Sequence, residues 1–282
     1  MHTLIISIAC SVAVSILLKI ARRQSIDVAQ AIAVNYLVAI TLCALILQPA
    51  PASLLKPDNA WGVLAALGIL LPTIFLTMAG AVRHAGIVLS DAAQRLSLFI
   101  PLIASFVLFG EQLSTGKITG ISVALIALVC LLLRPRDVAA PGDTLKSVGF
   151  LLSVWVGYGV IDILFKQMAK AGAAFSSSLL ISFSIAAVVI FGYLLAKRTV
   201  WTRRNALAGV VLGTLNFGNI YFYIRAHQVF PDNPTLVFSA MNIGVISLGT
   251  LVGAGFFKEK LSWINFLGIV LAISAIVILI PR

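Results

Sequence analysis

The sequence predicts an all-α integral membrane protein, with ten transmembrane helices arranged as two five-helix inverted-topology repeats. Three observations predict it. The chain is 61% hydrophobic and 10% charged, with a mean hydropathy of +1.10, whereas soluble domains average about 25% charged residues. Its apolar residues gather into ten runs long enough to cross a bilayer as helices, without the alternation of an outer-membrane barrel strand. Residues 110–121, GEQLSTGKITGI, return at 258–269 as KEKLSWINFLGI, which sets Glu111 on Glu259, Leu113 on Leu261, Ser114 on Ser262, Gly120 on Gly268 and Ile121 on Ile269.

The first run, 2–20, lacks a basic leader and a small-residue cleavage site, so it reads as a retained helix rather than a signal peptide. The second spans 27–47. QPAPASLLKPDNA, 48–60, is proline-bearing and predicts an extended surface connector. Spans 60–81 and 86–109 follow, with Pro72 and Pro101 as expected kinks. Span 116–133 closes the first half. RPRDVAAPGDTLK, 134–146, combines Pro, Gly and charge, and is the natural linker. The domains are therefore a first repeat over 1–137, a linker over 138–145 and a second repeat over 146–282. The second repeat holds spans 147–169, 175–195, 206–225, 233–257 and 262–280.

Further matches are collinear. SILLKIARR (15–23) aligns with DILFKQMAK (162–170) at offset 147, and LGILLP (67–72) with LGTLNF (212–217) at offset 145. With five spans per half, the second copy enters the membrane from the opposite side, an architecture of secondary transporters. Twelve Lys and Arg follow the odd-numbered spans and five lie on the other side. The positive-inside rule then places both termini outside.

The net charge of +11 sits in short loops, where it sets orientation and does not call for nucleic acid. Cys10, Cys43 and Cys130 lie within apolar runs and read as small buried residues. His2, His84 and His227 lack ligand-like spacing, and no phosphate-binding loop occurs. No metal, cofactor or enzymatic activity is expected.

Ionisable groups inside spans are the candidates for substrate binding or coupling. Asp162 and Lys166 are four apart in span 6 and share a helix face, so they are expected to pair. Lys19 occupies the matching place in span 1, where Ser15 replaces the aspartate; it is either an interfacial anchor or an anion-attracting group. Asp91 and Arg95 are four apart in SDAAQRLSLFIP, the most polar stretch of any span, and Gln94 beside them falls on Asn242 at offset 148. Asn216, Asn219, Tyr221 and Tyr223 in span 8, Asn35 and Tyr36 in span 2, and Trp155 and Tyr158 in span 6 could line the same cavity. Glu111 and Glu259 are expected to start the helices that follow them, since acidic groups favour helix N-termini.

Ten spans in two halves, with E-x-L-S-x5-G-I before the last helix of each, resemble the EamA-like branch of the drug/metabolite transporter superfamily. The second half is the better match: PTLVFSAMNIGVISLGTLVGAGFFKEKLSWINFLGIVLAISAIVIL, 234–279. The resemblance implies a permease of the bacterial plasma (inner) membrane that moves a small metabolite, such as an amino acid, by proton coupling or exchange. Familiar ten-span members place both termini in the cytoplasm, opposite to the charge count here. Alternating access would rock the halves about a site made by spans 1, 3, 4, 6, 8 and 9. Spans 5 and 10 would form the bundle edge, where they could support a homodimer. The alternatives are a flippase or exporter of a lipid-linked or hydrophobic substrate and, less favoured, an intramembrane enzyme, which needs a denser catalytic cluster.

Overall fold

The computed structural model describes residues 1–24, 26–50, 60–132, 144–170, 175–257 and 262–280. Most of the expected linker, Glu259 and the side chains of Lys19, Arg22 and Arg23 lie outside the described residues. The described residues form ten α-helices and no strand: α1 His2–Arg23, α2 Val28–Leu42, α3 Trp61–Leu96, α4 Phe99–Val107, α5 Thr115–Leu132, α6 Thr144–Ala169, α7 Phe175–Ala196, α8 Arg203–Val229, α9 Pro234–Phe257 and α10 Trp263–Leu279. A π-helical turn, Cys43–Leu47, extends α2.

Among the described residues, six stretches are long and apolar enough to cross a membrane: Val28–Leu47, Trp61–Gly86, Leu145–Ala169, Phe175–Ala196, Arg203–Val229 and Pro234–Phe256. Large apolar side chains such as Val107, Val188, Leu195 and Phe256 point outward, as in a protein whose surroundings are lipid. This is an all-α membrane fold.

Local chemistry sets the helix starts. Asp27 Oδ1 accepts from the Ala29 amide at 2.9 Å and caps α2. Thr202 caps α8. Ser262 and Asn265 form a reciprocal capping box on α10, and Ser114 Oγ accepts from the Lys117 amide at 3.3 Å at the start of α5. The repeated serine therefore starts the helix in both halves. The expectation that Glu111 would do so is corrected: its Oε2 accepts from the backbone N–H (3.0 Å) and hydroxyl (2.7 Å) of Thr235, at the start of α9 in the other half.

The expected kinks also move. Pro72 lies inside α3 with helical dihedrals, while the helical path breaks at Gly86, whose φ of 83° favours glycine. Four residues read as a loop between spans 3 and 4 are thus helical up to that break. Pro101 stands in the first turn of α4, where a missing N–H leaves no helical bond unmade. Span 86–109 is consequently two pieces, the end of α3 and the short α4.

The most extensive interhelix contacts exchange in pairs, while the packing of α9 on α5 and α10 has no counterpart of similar extent at α4. The packing of α3 on α6 is matched by α8 on α1, α3 on α7 by α8 on α2, and α4 on α6 by α9 on α1; α5–α10, α2–α7 and α4–α9 are their own matches. The close approaches repeat too. A Cβ on Gly120 would stand 2.7 Å from Leu279 Cγ, and one on Gly268 would stand 2.9 Å from Leu131 Cγ. A Cβ on Gly68 would stand 2.5 Å from Ile185 Cβ, and one on Gly213 would stand 2.7 Å from Val38 Cβ. Small residues at helix interfaces permit such approaches.

The main core joins α1–α4 with α6–α9, around side chains such as Tyr36, Phe183 and Phe238, and takes in Leu279 of α10. A second, smaller cluster ties α5 and α10 to α9 through Leu128, Ile246, Ile269 and Ala272. The α5–α10 pair thus packs chiefly on itself and on α9, and it touches the main core through Leu279.

Candidate functional site

Helices α6 and α8 lie side by side, and residues recur at one-turn steps: Asp162 and Lys166 on α6, followed by Lys170 just beyond it, and Tyr223 and His227 on α8, followed by Pro231 just beyond it. Asp162 Oδ1 accepts from the Tyr223 hydroxyl at 2.9 Å. Asn242 of α9 also reaches this carboxyl, and its Nδ2 donates to the Phe238 carbonyl at 3.1 Å. Tyr158, one turn earlier on α6, lies within electrostatic range of Asp162, Asp91 and Arg95. Asp91 and Arg95, on the last segment of α3, face one another at 3.5 Å. Residues of α3, α6, α8 and α9 therefore converge, the first of these from the opposite half of the chain.

Lys166 is 2% exposed. The expected Asp162–Lys166 pair is corrected: Lys166 Nζ instead donates to the Pro231 carbonyl at 2.6 Å and lies 5.9 Å from the Phe109 ring centre. Each side chain has found a partner on another element, and these distant partners outcompete the neighbour four residues away. Lys170 covers the same Phe109 ring at 4.8 Å. Glu111 and Asp232 lie within electrostatic range of Lys166, and the other Glu111 oxygen meets Lys117 Nζ at 3.1 Å. His227 is 1% exposed, and neither ring nitrogen has a hydrogen-bond partner. Its ring stands edge-on to Tyr223 at 4.9 Å and to Phe238 at 4.8 Å.

Other candidates fall elsewhere. Asn216 is buried and donates to Asn35 Oδ1 at 3.1 Å, joining α8 to α2. Asn219 accepts from Ser7 Oγ through both its side-chain oxygen (2.9 Å) and its carbonyl (3.0 Å), joining α8 to α1. These are interhelical bonds rather than the expected cavity lining. Gln94 is half-buried, and its carbonyl accepts from Ser97 Oγ at 2.6 Å. Trp155 Nε1 donates to the Leu96 carbonyl at 3.0 Å. Lys19 lies in α1, with its side chain outside the described residues. A hollow of about 470 Å³ at the end of the bundle is lined by Ser114–Lys117, Thr119, Asn233 and Ile278–Ile280, on the α5–α10 side and away from Asp162. Among the described residues no group of three His, Cys, Asp or Glu could hold a metal ion.

A carboxylate held by one phenol and one amide keeps lone pairs for a further donor. Such a group can take an ammonium or a proton, and the nearby guanidinium can meet an anion. A protein of Haemophilus influenzae, itself uncharacterized, is 54% identical over 282 residues, covering 98% of this chain and 96% of its own. The chain belongs to that protein's family. No family model matches the sequence. A protein of known crystal structure superposes with a TM-score of 0.74 over 98% of this chain and 96% of its own, at 16% identity. A likeness at that identity bears on the fold alone.

Sequence reasoning missed His227 as a member of the site and Pro231, Phe109 and Thr235 as partners. One signal for His227 was present: it follows Tyr223 by four residues, as Lys166 follows Asp162. The others are joined to the site only by folding.

Proposed function

We propose that the protein is a secondary-active transporter of a small metabolite, working by alternating access between two five-helix inverted repeats in a bacterial plasma membrane. The observation that carries this reading is Asp162, a carboxylate inside a span, held by Tyr223 and Asn242, with Tyr158 within electrostatic range both of it and of the Asp91–Arg95 pair. Intramembrane charges are costly and mark substrate or ion pathways. The pairwise exchange of helix contacts supports the repeat, and the resemblance to EamA-like permeases agrees with both. The EamA assignment, the repeat and the substrate class all belong to this proposal.

The test is a thermal-shift screen of the detergent-purified chain against amino acids, sugars, sugar phosphates, nucleosides, polyamines and cationic drugs at two pH values. A ligand of the folded state raises its apparent stability. The expected result is a shift from one class whose dependence on pH Asp162→Asn abolishes. Gradient-driven accumulation of that ligand should then fail in Asp162→Asn while exchange persists. Full accumulation by Asp162→Asn would remove the residue from the mechanism. A flat panel would overturn the small-metabolite reading in favour of a lipid-linked substrate.

A further inference from the structure

We infer that His227 relays protons between Asp162 and the water at the α8–α9 turn. This rests on the proposed role of Asp162 as the group that couples transport.

The polar residues of α6 and α8 form two facing ladders that run toward that turn. The first rung is Asp162 with Tyr223, bonded at 2.9 Å. The next holds His227, with Lys166 within electrostatic range. The ladder ends at Pro231 and Lys170, both exposed, about 12 Å along the axis from Asp162 at 1.5 Å per residue. His227 stands between the carboxyl and the exposed end, buried and with both nitrogens unpartnered. Burying such a group without partners is costly, and a Phe or Leu would fill the space between Tyr223 and Phe238 without that cost. An unsatisfied buried group in a folded protein calls for a functional reason.

The step balances without a co-reactant. A proton from water at the turn binds one imidazole nitrogen, and the other nitrogen releases its own proton. Rotation of the imidazole, whose ring centre lies 4.9 Å from that of Tyr223, brings this nitrogen to the phenol oxygen; Tyr223 then passes its hydroxyl proton to Asp162 and takes the proton leaving His227. The imidazole ends neutral in its other tautomer and the phenol unchanged. The charged or titratable groups around this path are Lys166, Lys170, Glu111 and Asp232 at the turn, and Tyr158, Asp91 and Arg95 near Asp162. α9 contributes uncharged Phe238 and Asn242. α2 contributes Tyr36, within electrostatic range of Tyr158, and α1 contributes Ser7.

The test is a pH jump on the full chain in nanodiscs, following the protonated-carboxyl infrared band that Asp162→Asn removes. His227→Ala should slow the appearance of that band by about a hundredfold and leave its final amplitude unchanged. Imidazole in the buffer should restore the rate, which a merely structural role would not allow. His227→Gln, which keeps a polar side chain, serves as the second variant should the alanine variant fail to fold. A band that rises at the wild-type rate in either folded variant overturns the relay and leaves the transport reading standing. A wild-type spectrum with no Asp162 band overturns the relay and also removes Asp162 as the coupling group.

Discussion

Gly120 of α5 and Leu279 of α10 meet so closely that no side chain fits between them: a Cβ on Gly120 would lie 2.7 Å from Leu279 Cγ. Gly120→Leu is therefore expected to destabilise the protein by about 1–3 kcal/mol through overpacking. Thermal unfolding in detergent measures it. Gly149→Ala is the control, because a Cβ there meets nothing within 4 Å; a gain of up to about 1 kcal/mol from helix propensity is expected.

Gly213 and Gly209 on α8 give a steeper case. A Cβ on Gly213 would lie 2.8 Å from the Asn35 carbonyl oxygen, and one on Gly209 would lie 2.7 Å from that of Ala31. Backbone cannot move aside as a leucine side chain can. Gly213→Ala should lower the melting temperature more than Gly120→Ala does, and equal losses would show that α2 and α8 can separate freely.

Glu111 supplies the N-terminal partner of α9 from the other half of the chain. Glu111→Ala leaves the Thr235 N–H and hydroxyl without it, and should cost about 1–2 kcal/mol. Glu111→Gln keeps an acceptor for Thr235 and should lose less than the alanine variant, giving up the charge that faces Lys117 at 3.1 Å. A melting series of the two variants decides the order.

Asn216 and Tyr223 separate scaffold from site. Asn216→Ala removes a bond between α8 and α2 and should cost stability by about 0.6–2 kcal/mol, with ligand affinity unchanged. Tyr223→Phe removes a donor to Asp162 and should change affinity for a ligand held there by about ten- to a hundredfold. Binding isotherms beside melting curves test both, and a Tyr223→Phe protein that binds normally would detach the phenol from the site.

The helix runs were legible because apolar length is a local property, and eight of the described helices lie close to expected spans, while the expected fourth span is divided between the end of α3 and the short α4. What was hidden depends on distant partners. The repeated Glu111 drew attention as a helix starter, yet Ser114 and Ser262 take that role, while Glu111 acts on a residue 124 positions away. The four-residue step from Asp162 to Lys166 placed both on one face but could not reveal Tyr223 and Pro231, which lie 61 and 65 positions from them. Gly86 was concealed because Arg83 and His84 just before it suggested a loop there, and only the backbone angle at Gly86 marks the break.

The paired glycine contacts have a consequence for how such a chain could arise. Gly120 meets Leu279 and Gly268 meets Leu131, so each glycine contacts the residue equivalent to its counterpart's partner. Under the proposed repeat, two identical five-helix chains associating about a two-fold axis would have made both contacts with one glycine and one leucine. Such an ancestor would also have carried any site charge twice. The present chain has Asp162 in one half and Ser15 at the matching place in the other. On that reading, fusion would keep the twofold scaffold and free the two halves to diverge at the proposed site.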